Sequence, residues 1–353
     1  MQMFYVLLAL GQTEFALDMQ DRALRQRSIY RMAGTVAPSI RLLALMGPGN
    51  MLDNTPFEFL LDLSDIRLDL LFCEPEQPLP DAIPDHDVAV VAVGESDKNL
   101  PLLQHLGHCL THWPRPVLNP PQHIMHCARD TSWQLLHDIP GVQMPHTQRL
   151  QRAQIKDLRY PVTIRPVGTQ GGQGLTRLNT QGNLDAYLAL HPDAWLYVAD
   201  YVDYRSADGM FRKWRIVLID GCPYVCHIAI ANHWMVHYHS ANMQLSVQKR
   251  DEEARLMAGF DLDFAVRHGA AFRAIAQQMG LDYAVIDCAQ AHDGRLLVFE
   301  VDSRGWIHAT DPVDIFAYKP AVMQKAFDAF RTMLLRRVAG LSHINFCCKL
   351  LKV

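Results

Sequence analysis

The sequence predicts an α/β chain with α+β character in its second half, and three observations predict it. Short, nearly continuous apolar runs at residues 40–46, 68–73 and 87–93 alternate with loops and helix-length segments, as strands buried on both faces do. Residues 196–310 read mostly as strands, with one amphipathic helix at 264–279. The chain has 353 residues, 49% of them hydrophobic and 20% charged, enough for two or three domains and a sizeable core.

In chain order, residues 3–32 read as helical. Ala9, Gly11, Phe15, Ala16, Ala23 and Leu24 suit two short helices packed as a hairpin, with small residues at the close contacts. The pair resembles one tetratricopeptide-type helix pair, either an N-terminal brace or the remnant of a longer array. After the first apolar run come Gly47-Pro48-Gly49-Asn50 and then Thr55-Pro56-Phe57-Glu58. Thr55 as N-cap, Pro56 at the first helical position and Glu58 at the third make a capping box, so a helix is predicted to start there and to offer its amides to an anion. GPGN lacks the third glycine of a dinucleotide-binding turn. The Pro-rich stretch 74–85 is a loop, and Pro114, Pro116, Pro120 and Pro121 mark a domain boundary. A helix at 129–137, a turn at Pro140-Gly141, a hairpin around 160–178 and a last helix at 315–338 follow. The expected units are a helical hairpin (1–38), a small α/β domain (39–121), a first lobe (122–195), a second lobe (196–340) and a tail (341–353).

The chemistry concentrates in two stretches. Gly280-Leu281-Asp282-Tyr283-Ala284-Val285-Ile286-Asp287 leads to the turn His292-Asp293-Gly294-Arg295, the apolar Leu296-Leu297-Val298-Phe299, and then Glu300-Val301-Asp302. This reads as a β-hairpin that returns Glu300 and Asp302, on one face of their strand, beside Asp287. Three carboxylates converging on an apolar floor repel one another unless a cation sits among them, and oxygen-only ligands favour a hard ion such as Mg²⁺. Upstream, Tyr160-Pro161-Val162-Thr163-Ile164-Arg165-Pro166 reads as a strand ending in a cation. Gly168-Thr169-Gln170-Gly171-Gly172-Gln173-Gly174 follows, whose glycines let the backbone approach phosphate oxygens closely. A strand restarts at Thr176-Arg177-Leu178. A strand–glycine flap–strand is unlike the Walker loop, which needs Lys-Ser/Thr and a following helix.

Composition excludes several classes. A formal net charge of -4 gives no electrostatic case for nucleic acid or an anionic membrane. The first ten residues are apolar but lack a basic flank, so neither a signal peptide nor a membrane span is expected. None of the eight cysteines is spaced as CxxC, and all are expected as reduced thiols in a cytoplasmic protein, with Cys222 and Cys226 at a strand edge. In Arg212-Lys213-Trp214-Arg215, alternation places Lys213 on the face opposite Arg212 and Trp214, which argues against a nucleic-acid patch. His237-Tyr238-His239 is expected on a strand with both histidines on one face. With His227 or His233 they could bind a transition metal, but hydrogen-bonded structural residues or substrate contacts are the stronger reading.

A cation-ended strand, a glycine flap, an Arg-bearing strand and an Asp…Glu-x-Asp strand pair, in that order, resemble the ATP-grasp superfamily of carboxylate–amine ligases, which includes D-alanine–D-alanine ligase and glutathione synthetase. Residues 207–215, His227, Trp234, His237-Tyr238 and Met243 are similar to a group within it attached to tetratricopeptide repeats. The resemblance implies a pre-ATP-grasp α/β domain and a two-lobed ATP-grasp fold. It implies ATP as cofactor, and Mg²⁺ (or Mn²⁺) on Asp287, Glu300 and Asp302. Arg129 and Arg165 stand where the superfamily usually has lysines on the phosphates; Arg forks onto phosphate but is not interchangeable with Lys. Gly168 to Gly174 (Gly168, Thr169, Gln170, Gly171, Gly172, Gln173, Gly174) would cover the phosphates. Asp200, Tyr201 and Val202 would hold adenine and ribose. Arg215, with Lys213 and Arg165, would serve the transferred phosphoryl group. Asp302 replaces the usual Asn, and Ser303-Arg304-Gly305 replaces a more apolar continuation.

The implied reaction activates a carboxylate as an acyl phosphate, releasing ADP, and an amine then attacks the acyl carbon to form an amide or peptide bond. Substrate candidates are Asp208, His227, His237, His239, Ser240, Asn242 and Ser303, with small-molecule carboxylate and amine partners, amino acid or peptide among them, and a homodimer as the candidate assembly. The departures keep two alternatives open: a retuned or inactive nucleotide-binding module that docks a partner protein, and a small-molecule kinase on the same fold.

Overall fold

The computed structural model describes residues 1–32, 37–61, 65–238 and 240–341. The strands, in chain order, are β1 (Ile29–Arg31), β2 (Ile40–Met46), β3 (Ile66–Phe72), β4 (Val88–Val91), β5 (Val117–Leu118), β6 (Val142–Gln143) and β7 (Thr147–Gln151). They continue as β8 (Val162–Pro166), β9 (Thr176–Leu178), β10 (Trp195–Asp200), β11 (Phe211–Ile219), β12 (Cys222–Ala231), β13 (Tyr283–Gln290) and β14 (Leu296–Asp302). They form three sheets, ordered β1-β3-β2-β4-β5, β7-β10-β8-β9 and β12-β11-β13-β14-β6.

In the first sheet β2 pairs in parallel with β3 and β4, and β4 with β5. The continuous apolar runs have a direct cause. Leu43, Leu45, Ala89 and Val91 face the helix Leu100–Cys109 through Leu102, Leu103 and Leu106. Leu42, Ala44, Val88 and Val90 share the opposite core with Phe330, Met333 and Leu334 of the helix Lys319–Val338. Both faces are buried, so neither needs polar residues. The same long helix packs on Val217, Ile219, Tyr283 and Val285 of the third sheet, and so joins the two. Asn119 closes the seam: its side chain donates to the Tyr283 carbonyl (2.9 Å) and accepts from the Tyr283 amide (3.0 Å).

The third sheet is antiparallel except for β6. Asp220 and Gly221, both at positive φ (51° and 80°), make the tight turn from β11 to β12. Trp214 stacks on Phe264 at 4.1 Å, on the face opposite Lys213 and the cavity described below. The second sheet is smaller and antiparallel, with Leu184 and Tyr187 of the helix Gln181–Leu190 packed on Ile164 and Leu196.

Several expectations need correction. The helix pair spans Gln2–Ala9 and Thr13–Leu24 only, and residues 29–31 form an edge strand held by Arg31 on Asp69. Gly11 forms the turn at φ +72° with open space around it, so it is no close contact. Thr55 caps nothing: its hydroxyl donates to the Ser303 carbonyl at 2.9 Å, and only a short 3-10 turn, Phe57–Phe59, follows. The capping box lies earlier, at Asn50 and Asp53. The predicted helix at 264–279 breaks at His268, and a further helix, Val247–Ala258, was not expected. His237 lies outside any strand and Tyr238 in a turn. Cys222 is disulfide-bonded, whereas Cys73, Cys109, Cys127, Cys226 and Cys288 are free. Most of the tail, 342–353, lies outside the described residues, as does His239. Among the described residues no helix is long and apolar enough to cross a membrane.

Candidate active site

A cavity of about 690 Å³ opens between the second and third sheets. Ile164 and Arg165 of β8 and Tyr197 and Ala199 of β10 form one wall, and Lys213 and Arg215 of β11, Asp287 of β13 and Glu300 and Asp302 of β14 the other. The hairpin forms as the spacing predicts. Asp287 pairs directly with Glu300 across the strands, and a register shift follows between Asp287 and Cys288.

The carboxylates are met by side-chain cations. Asp287 accepts from Lys213 Nζ at 2.9 Å and from Arg215 Nε at 2.9 Å. Burial pushes its carboxyl up, but Arg215 and Lys213 more than offset this, and it lies well below the usual carboxylate range. Glu300 pairs with Arg129 at 2.5 Å. Burial works against the Glu300 charge, and Arg129 reverses the balance, so its carboxyl is also lowered. Asp302 accepts the Arg304 amide at 2.9 Å and lies 3.4 Å from its Nε. The expectation that a cation must sit among the three acids therefore meets a different answer: arginine and lysine supply the countercharge. Among the described residues no group of three or more His, Cys, Asp or Glu is placed to hold a metal ion. The oxygen-only donors that line one cavity suit Mg²⁺ chemically. Each carboxylate has acceptor sites beyond its contacts with Arg129, Arg304 or the Lys213–Arg215 pair.

Above them the glycine segment folds back. Gly168, Gly171, Gly172 and Gly174 all have positive φ, between 59° and 80°. A Cβ on Gly174 would stand 2.6 Å from Pro166 Cδ, so only glycine fits there. Arg165 Nε donates to Thr169 Oγ1 at 3.2 Å, its Nη2 donates to the Thr169 carbonyl, and Tyr187 donates to the Gly174 carbonyl at 2.8 Å. Gln170, Gly171 and Gly172 reach the cavity, while Gly168, Thr169, Gln173 and Gly174 do not line it. Burial, reinforced by Arg129, lowers the Arg165 guanidinium to about 10.

Asp200, Tyr201 and Val202 also line the cavity, as do His227, His237 and Asn242. Burial and Arg215 hold the His227 imidazole well below its ordinary value, so it is neutral. The other substrate candidates are placed elsewhere. Asp208 pairs with Arg212 at 2.7 Å, Ser240 donates to the His237 carbonyl at 3.2 Å, and Ser303 is fully buried beneath Thr55. None of the three lines the cavity. The sequence reading missed Trp306, His308, Asp311 and Phe316, all after β14, which line the cavity, and it missed Glu95, which lies outside that lining. Glu95 lies within the field of Arg304, Asp302 and Arg129, and burial raises its carboxyl to about 7. Only the proximity of 303–316 to the acidic strand could have signalled the first group. Nothing in the sequence around Glu95 signals it.

No protein-family model matches the chain, and no curated protein matches it in sequence. Solved structures do. D-alanine–D-alanine ligase from Bacillus anthracis, in complex with ATP, matches at 16% identity and TM-score 0.50, covering 86% of this chain and 100% of that one. VanG D-Ala:D-Ser ligase from Enterococcus faecalis matches at 13% and 0.52, over 84% and 99% of the two chains. The D-alanine–D-alanine ligase from Coxiella burnetii matches at 10% and 0.52, over 86% and 97%. The chain has the ATP-grasp fold.

Proposed function

We propose that the chain is an ATP- and Mg²⁺-dependent carboxylate–amine ligase that forms an amide or peptide bond through an acyl phosphate, releasing ADP and phosphate. One observation carries this reading beyond the fold. Arg129, Arg165, Lys213 and Arg215 converge with Asp287, Glu300 and Asp302 on one cavity, beneath a glycine segment whose backbone faces it. Joining a carboxylate to an amine is uphill in water, so the carboxylate must first be activated. Attack of its oxygen on the γ-phosphorus spreads charge over the phosphoryl oxygens, and Arg165, Arg215 and Lys213 stand ready to balance it. Asp287, Glu300 and Asp302 would hold Mg²⁺, which supplies charge neutralisation on the phosphates. The flap would exclude water that hydrolyses the acyl phosphate. Asp200, Tyr201 and Val202 would hold adenine and ribose, with residues 122–195 and 196–340 as the two lobes. The acyl and amine substrates would enter by His227, Asn242 and the 303–316 segment.

The pairing of Asp287 with two cations favours a second reading, a nucleotide-binding module without turnover, because acids already neutralised have less need of metal. Turnover separates the two. ADP released from Mg-ATP only when pooled carboxylates and pooled amines are both present is the expected result. Mg-ATP binding with no ADP from any pool supports the binding module, and ADP formed with a phosphorylated product and no amine requirement supports a kinase.

A further inference from the structure

We propose that His237 is a ligand of the nucleotide's terminal phosphoryl group, donating a hydrogen bond to it from Nε2 beneath the glycine flap. The inference rests on the nucleotide reading above and adds a residue to it. His237 lines the cavity, and its Nε2 is buried with no hydrogen-bond partner among the described residues. A buried polar atom left unpaired is costly, so a partner that arrives with the ligand accounts for the arrangement. The ring's position selects the ligand group. A Cβ on Gly172 would stand 2.3 Å from Nε2 and 3.1 Å from Cε1, so the ring packs against the flap backbone where only glycine leaves room. The charges acting on the ring are Lys213, Asp287, Arg165 and Arg215, three cations against one anion. That excess calls for an anion between the flap and β11. Burial, reinforced by Lys213, lowers the imidazole to about 4, so at neutral pH it carries one proton and no charge. A neutral ring with that proton on Nε2 adds a directed donor to the point charges around it. Lys213, Arg165 and Arg215 are the residues assigned to the transferred phosphoryl group, whereas Tyr201 and Val202 serve the adenine. His237 thus addresses the γ end of the nucleotide.

The test compares Mg-ATP with Mg-ADP, because only ATP carries the group in question. Calorimetric affinities are measured for the intact chain, His237→Ala, His237→Phe and His237→Gln. His237→Ala is expected to weaken ATP about ten-fold with ADP unchanged. Unchanged ADP affinity also shows that the variant is folded. His237→Phe fills a similar volume without a donor and should repeat the result should the alanine variant fold poorly. His237→Gln keeps a neutral donor and should recover part of the loss. Equal changes for both nucleotides, or none, overturn the assignment of His237 alone. A wild-type chain that binds neither nucleotide overturns the nucleotide reading, and His237 with it.

Discussion

Asp287 accepts from Lys213 and Arg215 at once, while Glu300, its cross-strand neighbour, accepts from Arg129. Buried ions are expensive, and one carboxylate needs one countercharge, so the second cation is surplus to the fold. Surplus positive charge in a cavity wall is a provision for an anion. Glu95 shows the opposite case, a carboxyl with too little compensation. Burial is the main cause of its rise to about 7 from an ordinary 4.5; Arg304 opposes the shift, and Asp302 and Asp97 reinforce it. Between those two values the folded chain binds more protons than the unfolded one, so stability falls as pH rises through the window. Glu95→Gln removes the titration. Chemical denaturation between pH 5 and 8 should therefore show the wild type losing about 2 kcal/mol relative to the variant, and parallel profiles contradict the assignment. The sequence could not show this, because the main cause is burial and, apart from Asp97, the charges around Glu95 come from residues more than thirty positions away, whereas Arg165 and Glu300 were legible because each ends or continues an apolar strand beside glycine or acid.

At the scale of elements, legibility follows local determination. The β13–β14 hairpin was readable because its turn at Asp293-Gly294 (φ +86° at Gly294) and its apolar strands set the register without outside help. The helix Val247–Ala258 was not, since only Glu253 and Met257 along it are buried and no apolar stripe shows at helical spacing. Thr55 misled for a tertiary reason: its hydroxyl found the Ser303 carbonyl instead of a helix terminus. The flap makes its own prediction. Gly172 sits at φ +80°, and an added Cβ would drive the His237 ring aside. Gly172→Ala is thus expected to lose ATP affinity, through strained backbone and through displaced His237. Combined with His237→Ala, the loss in binding free energy should be less than the sum of the two single losses. A strictly additive double variant shows that flap and ring do not act together.

Across the whole molecule, the site exists only because distant segments meet. Arg129, Arg165, Arg215 and Glu300 come from four separate elements in two sheets and a helix. Residue types and periodicity predicted the elements, and the order of motifs predicted that they meet, but the partners of the acids became visible only in three dimensions. The helix Lys319–Val338 and the Asn119 seam hold the first sheet against the third, and Arg304 reaches from the end of β14 to the Leu52 carbonyl at 3.1 Å. That contact ties the acidic strand to the first sheet's loops. The acidic strand is the centre of the proposed nucleotide–metal site. The most direct measurement is Mg²⁺-dependent ATP affinity in the wild type and in Glu300→Gln, a change that keeps shape and removes charge. An affinity that falls about ten-fold or more in the variant, with most of its Mg²⁺ dependence lost, is the predicted result. Equal affinity and equal Mg²⁺ dependence in the two proteins contradict it.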